Sequence, residues 1–286
     1  MLREIRDLGF EWAELSHGIR VSLLPGILEA VDAGEIKISS VHNFCPLPLG
    51  VTVAAPNIFL FTSDDPREVD RAWRHSVKTI ETAARLKAQF VVLHMGRIEM
   101  KDYTDKLVEM VERGLRGTPK YNSLCEEILT KREKKKDAYV TRSYEMLQRL
   151  AEQAEKHGVK LGVENREAVE EIPLETDFPF LFHQFQQPCI GYWHDFGHAQ
   201  IKENLGFIDH ASHLELLQSR LFGMHVHDVE FPGRDHRAPG MGMINYAALK
   251  KFITPEHLKV LELSPSLPVE TVRRGAAFIK QVWGEA

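Results

Sequence analysis

The sequence predicts an α/β fold of (β/α)8 barrel type in which seven of the eight strands are legible. Short β-type runs alternate with amphipathic helical stretches along most of the 286 residues, the pattern of a parallel sheet with helical crossovers. Six or more such units at intervals of a few tens of residues suit a barrel better than a doubly wound sheet. No GxGxxG or GxxxxGKS/T follows any strand, so a dinucleotide-binding or P-loop reading has little support.

Taken in order, the chain opens with LREIRDLGF, a helix with Leu2, Ile5 and Leu8 on one face and Gly9 at its end. The strand FEWAELSH (10–17) follows. No apolar strand precedes that helix, so the first barrel strand is missing, or the true start lies upstream. An incomplete barrel needs its gap narrowed by direct pairing, filled by a loop or covered by a neighbouring copy, because sheet edges are adhesive. A homo-oligomer is therefore compatible with the sequence.

The next strands are EIKISSVHNF (35–44) and AQFVVLHMG (88–96), separated by an amphipathic helix over 65–86. KREKKKD, inside 120–139, reads as a solvated helix face beside Glu126, Glu127, Glu133 and Asp137. A further helix spans 139–158, with Tyr144, Leu147, Leu150, Ala151 and Ala154 at helical spacing and Gly158 as C-cap. VKLGVENR (159–166), CIGYWHDFG (189–197), RLFGMHVHD (220–228) and HLKVLELSP (257–265) supply the remaining strands. Between the last two, PGMG forms a tight turn into a helix capped by Asn245. No repeat or linker divides the chain, which reads as one domain over residues 1–286.

Lys+Arg 36 against Asp+Glu 41 gives a net charge of −5, which provides no overall field for nucleic acid. Cys45, Cys125 and Cys189 lie far apart and form neither a disulfide framework nor a CxxC knuckle, so a reducing, cytoplasmic setting is expected. No stretch approaches the roughly 18 apolar residues of a membrane span. The N-terminal MLREIRDLGFEW lacks the apolar core of a signal peptide.

The 14 histidines carry the functional signal. In a parallel barrel the site forms at the C-terminal ends of the strands. Those ends here read His42, His94, Glu164, Asp195, His225 with His227, and Glu262. Residues two apart share a strand face, so Ser40, Val92, Gly162, Trp193, Gly223 and Val260 should lie beneath them. A mixed His, Asp and Glu set suits a divalent cation such as Mn²⁺, Zn²⁺ or Co²⁺, with Mg²⁺ also admitted, rather than a soft-metal thiolate site.

Further residues fall around this ring. His198, on the loop after Asp195, can turn back towards it, whereas His194 should face the helix layer as a structural residue. For His227, ligand, substrate contact and solvent-facing loop residue all stay open. His17 reads as a helix cap or a site residue, and Cys45, three residues after His42, as loop packing with a metal also within reach. His75, His157, His183, His210, His213 and His257 are assigned to surface or packing. Asp235, His236 and Arg237 sit on a loop placed to touch substrate. Arg166 or Arg237 could bind a hydroxyl, carboxylate or phosphate.

VLHMG, GVEN, HDFGH, MHVHD, DHRAPGMG and VLELS resemble successive strand-end motifs of the xylose isomerase-like TIM-barrel superfamily, over roughly residues 1–283. That superfamily holds sugar isomerases and epimerases, inosose dehydratases and the endonuclease IV enzymes. The resemblance implies a divalent metal on Glu164, Asp195, His225 and Glu262. In endonuclease IV-like members, additional metals are held at positions matching His42, His94, His198 and His236. Departures from that nuclease are Arg234 in place of an Asp, HMG in place of HPG, and DFGH in place of DTCH. The expected activity is a metal-dependent isomerase or epimerase of a small sugar or polyhydroxy carbonyl compound. It would work by proton transfer through a stabilised enediolate, with Glu164 and Glu262 as the catalytic carboxylates. The alternatives are an endonuclease IV-like phosphodiesterase on abasic DNA and an inosose-dehydratase-like lyase.

Overall fold

Each of the seven β-type runs contains a strand. In the computed structural model, which describes residues 2–55 and 57–284, the chain begins α1 (Leu2–Asp7), β1 (Trp12–Leu15), α2 (Leu24–Asp32), β2 (Lys37–His42), α3 (Pro66–Arg85) and β3 (Phe90–Leu93). It continues with α4 (Thr104–Glu112), α5 (Pro119–His157), β4 (Lys160–Glu164), α6 (Phe178–Gln184), β5 (Ile190–Asp195), α7 (Phe196–Leu205) and α8 (His210–Leu217). The last elements are β6 (Leu221–Val226), β7 (Asp228–Glu230), β8 (Arg234–Arg237), α9 (Tyr246–Leu249), β9 (Leu258–Leu261) and α10 (Val269–Trp283). Seven strands make one sheet whose order follows the chain, and β7 with β8 makes a separate two-stranded ribbon. Among the described residues this is the barrel-type fold expected, one strand short of eight. No described helix is long and apolar enough to cross a membrane.

The chain divides into two compact units. The first comprises Met1–Gly96, Val140–Glu164 and Leu181–Gly191. Here β1, β2, β3 and β4 pair in parallel, with Val41 opposite Val91 and Val91 opposite Leu161. β3 is buried at all four positions, as a parallel strand covered on both faces must be. α3 starts at Pro66 behind the N-cap Asp65, whose carboxylate accepts the Arg67 amide at 2.9 Å. Its buried face holds Ala72, Ser76, Thr79, Ile80 and Ala83. Ser76 Oγ accepts from Asn43 Nδ2 (2.9 Å) and Thr79 Oγ1 from the Cys45 amide (3.0 Å), fixing the turn that follows His42.

The second unit comprises Arg97–Tyr139, Asn165–Phe180 and Tyr192–Ala286. β6 pairs in parallel with both β5 and β9, with Asp195 opposite His225 and His225 opposite Val260. The two helical stretches read on either side of residue 139 are one helix, α5. Its charge run is not simply a solvated face. Arg132 continues the buried stripe of Tyr121, Leu124 and Ile128, reached by steps of three and four residues. It is fully buried, donating to Val169 O at 2.9 Å and to Asp177 Oδ2 at 2.8 Å. Lys131 reaches Tyr103 Oη, Lys135 the Glu99 carbonyl and Lys136 Asp177. The run reads as solvent-facing because composition does not reveal a buried carboxylate facing one turn of a helix.

Residues 235–237 also differ from the reading: they lie on a strand, not a loop. β8 pairs antiparallel with β7, Asp228 opposite Arg237 and Glu230 opposite Arg234. Charge holds this ribbon, with Arg237 bound to Glu230 at 2.9 Å, so no apolar alternation announced it. Buried Asp228 accepts the amides of Val229, Gly240 and Ile244, closing the PGMG turn onto the ribbon. The helix after that turn starts as expected, with Asn245 accepting the Ala248 amide.

His194 faces away from Asp195's site, as expected, and enters a buried polar chain. Tyr192 Oη lies 3.0 Å from Asn165 Oδ1, 2.8 Å from His194 Nδ1 and 2.8 Å from His213 Nε2. A phenol has one proton, so it donates to Asn165 and receives from both imidazoles. His194 Nε2 then accepts from His210 Nε2 at 2.9 Å. Burial pushes His210 and His213 down to about 3.

Two outcomes are expected. Arg132→Ala strands Asp177 with one cation fewer and should cost about 3–5 kcal/mol, read by urea denaturation. His210 and His213 are neutral when folded but take up protons near pH 6.5 when unfolded, so stability is lost as pH falls below 6.5 towards 3. Between pH 7 and pH 5 each should remove about 2 kcal/mol from the free energy of unfolding. His213→Asn should flatten that pH dependence in thermal denaturation. A profile unchanged by this substitution contradicts the assignment.

Candidate metal centre

Strand ends concentrate the ligand-type residues in each unit. In the first unit His42 closes β2, His94 follows β3 and Glu164 closes β4. All three are buried, and their ligand atoms lie within 4.8 Å of one another. His42 Nδ1 donates to the Asn43 carbonyl at 2.9 Å, which leaves the lone pair on Nε2, 3.6 Å from Glu164 Oε2. His94 Nε2 lies 2.6 Å from the same carboxylate oxygen. His17 packs edge-on against His42, with ring centroids 5.1 Å apart, and so joins the cluster rather than capping a helix. Burial pushes the Cys45 thiol up to about 12, leaving it protonated and a poor ligand. The glycine of HMG is required: Gly96 has φ +98°, and a Cβ there would lie 2.7 Å from Thr62 Cγ2.

In the second unit Asp195 is both the last residue of β5 and the N-cap of α7. Its Oδ1 accepts the His198 amide at 2.7 Å, and its Oδ2 lies 3.0 Å from His227 Nε2 and 3.6 Å from His225 Nδ1. His225 Nδ1 is also 3.0 Å from Glu262 Oε2. Burial alone would raise the Asp195 carboxyl, but His198 and His227 reverse the sign and hold it well below the usual range. Asn165 clamps the strand end: its Oδ1 accepts the Asp195 amide at 2.7 Å and its Nδ2 donates to the Asp195 carbonyl at 3.0 Å. Beneath His225, the Trp193 indole meets the imidazole edge-on at 5.4 Å. Gly223 admits that indole, since a Cβ there would stand 2.7 Å from Trp193 Cζ3.

His227 is fully buried, which rules out the solvent-facing alternative. Burial lowers its basicity and the Asp195 carboxylate more than offsets this, raising it to about 9. Yet Nδ1 accepts the His236 amide at 2.9 Å, and a doubly protonated ring would set donor against donor there. The hydrogen-bond geometry is therefore that of a neutral ring with its proton on Nε2. His236 stacks on it at 4.3 Å and donates Nδ1–H to the Glu262 carbonyl at 3.0 Å, which leaves His236 Nε2 with a lone pair.

His198 Nδ1 lies 3.0 Å from the Asn165 carbonyl and 3.3 Å from Arg166 Nη1. The Asn165 carbonyl can only accept, so His198 Nδ1 carries the proton of that bond. Arg166 Nε donates to Glu171 at 3.2 Å. A third carboxylate group, not singled out from the sequence, is Glu167: its ligand atoms lie within 4.8 Å of those of His198 and Asp235. Burial raises the Glu167 carboxyl, with Asp235 adding to that and His198 opposing it. The signal available was its place three residues after Glu164 in GVENRE. Arg237 is engaged by Glu230 rather than presented to the cluster.

These residues fit a divalent cation. In one unit a carboxylate faces an imidazole lone pair, and in the other two carboxylates converge on a buried imidazole nitrogen. The donors are of the oxygen and nitrogen types that borderline cations prefer.

A family described as "Xylose isomerase-like TIM barrel" matches residues 2–282. No curated protein matches the chain in sequence. Among solved structures, a D-tagatose 3-epimerase-like protein superposes with a TM-score of 0.71 at 17% identity, covering 99% of this chain and 91% of that one. L-ribulose 3-epimerase gives 0.70 at 15% identity, with 99% and 87% covered. The IOLI protein with a bound zinc atom gives 0.67 at 16% identity, with 99% and 92% covered.

Gly197, in α7, makes room for the His227 ring, since a Cβ there would stand 2.0 Å from His227 Cε1. Gly197→Ala should therefore destabilise by about 1–3 kcal/mol despite alanine's better helix propensity. A thermal midpoint equal to or above that of the parent protein would contradict this packing.

Proposed function

Because the chain belongs to the xylose isomerase-like TIM-barrel family, we propose that it is a divalent-cation-dependent isomerase or epimerase of a small sugar or related polyhydroxy carbonyl compound. The carrying observation is the convergence of Asp195 and Glu262 on the buried His225 nitrogen. We assign Glu164, Asp195, His225 and Glu262 as the residues that hold Mn²⁺, Zn²⁺, Co²⁺ or Mg²⁺. The bound cation supplies Lewis-acid polarisation of a carbonyl and its neighbouring hydroxyl.

The protein's own groups do the rest. Glu164 and Glu262 remove and return the proton on the carbon beside the carbonyl. Glu262 keeps about a third of its side chain exposed, at 32%, whereas Glu164 keeps 1%, so Glu262 is the carboxylate open to an arriving substrate. His198 and His236 contact substrate oxygens. Asp235 contributes an acceptor, and Arg166 donates to a substrate oxygen. Arg237 can join only by releasing Glu230. A cytoplasmic setting and a small-molecule partner belong to the same reading.

A lyase that removes water from an inosose would use these groups too, and its unsaturated product would identify it. The His42, His94 and Glu164 cluster favours a second reading, a phosphodiesterase with more than one ion. Against it, Arg234 stands where endonuclease IV has an acid and is exposed beside Glu230.

The test is a panel of ketoses and inososes incubated in deuterium oxide with Mn²⁺ and followed by NMR. Deuterium is expected at the carbon beside the carbonyl. Glu262→Gln and Glu164→Gln should each reduce that exchange by about 10²–10⁴-fold. One tightly held ion per chain accords with the sugar-enzyme reading. Two or three ions, efficient incision of an abasic duplex and no exchange into any sugar would overturn it.

A further inference from the structure

The ring of His227 touches two structures at once. On one side Nε2–H donates to Asp195 Oδ2 at 3.0 Å. On the other, Nδ1 accepts the amide of His236 at 2.9 Å, at a point where the β8 backbone has φ +52°, a conformation that residues with a side chain rarely adopt. Both ring nitrogens are thus engaged within the protein. Tyr246 Oη donates to the His227 carbonyl at 2.8 Å, holding the backbone from beneath. The bare Gly197 leaves the ring its space.

We infer that His227 is a positioning residue: a single neutral imidazole that sets the Asp195 carboxylate with one nitrogen and docks the β7–β8 ribbon with the other. The ribbon bears Asp235 and His236, and His236 is tied in turn to the Glu262 carbonyl at 3.0 Å. His227 therefore registers the substrate-facing strand to a residue of the cation site. This rests on the cation-dependent reading of Asp195 proposed above. The contact differs in kind from a ligand bond. It orients a carboxylate through a hydrogen bond, and the partners of liganding groups commonly govern metal affinity.

Two isosteres separate the two nitrogens. In His227→Asn the amide oxygen occupies the place of Nδ1 and can still accept the His236 amide, but nothing reaches Asp195. In His227→Gln the amide nitrogen occupies the place of Nε2 and can still donate to Asp195, but the His236 amide loses its acceptor. The measurements are Mn²⁺ titration by calorimetry and hydrogen–deuterium exchange of the peptide spanning residues 233–238, with circular dichroism confirming the fold of each variant.

For His227→Asn, Mn²⁺ affinity should fall about 10–100-fold with ribbon protection kept. For His227→Gln, affinity should stay within about threefold of the parent, while the ribbon exchanges about tenfold faster or more. If both variants leave both readouts unchanged, or if each folded variant loses both together, the inference is wrong. If the parent protein binds no Mn²⁺, the cation reading fails instead, and the exchange arm alone still decides whether His227 docks the ribbon.

Discussion

A carboxylate sealed from water must be answered within the protein, because the cost of leaving it unpaired is several kcal/mol. Asp195 has no solvent exposure, and its surroundings are arranged around that fact. The His198 amide at the start of α7 takes one oxygen, while His227 donates to the other and His225 lies beside it. Asn165 grips the backbone on both sides of the same residue. The strand must pass into the helix without a loop, or the capping contact is lost. Each of these requirements draws another residue into place, and a cluster of imidazoles around one carboxylate is the result.

Much of this was legible in the sequence for a simple reason. Parallel strands covered on both faces must be apolar along their length, so a His, Asp or Glu at a strand end stands out against Phe90–Leu93 or Ile190–Tyr192. Strand and helix order, the ligand types at strand ends and the Asn245 cap all follow from such local contrast. The outward direction of His194 followed from the alternation of strand side chains.

What was hidden depends on partners distant in the chain. Arg132 looks like one more charge in KREKKKD, and only Asp177 and the Val169 carbonyl make it a core residue. The β7–β8 ribbon is joined by charge, so period-two apolarity could not reveal it. Glu167 is set apart from the chain's other acids only by its burial and the approach of His198 and Asp235. The protonation pattern of the histidines was equally out of reach, since it depends on which backbone carbonyl or amide each ring nitrogen meets.

The two glycines beneath and beside the site have a consequence for sequence variation. Gly197 is empty because His227 is large, whereas Gly223 is confined by both the Trp193 indole and the Leu258 carbonyl. Gly197 and His227 behave as a fixed volume divided unequally between two positions. Relatives that carry a smaller residue in place of His227 are free to carry a side chain in place of Gly197, but shrinking Trp193 leaves Gly223 still held by the Leu258 carbonyl. Substitution at either of positions 197 and 227 should therefore be tolerated best when the other changes with it, whereas position 223 is expected to stay glycine whatever stands at 193.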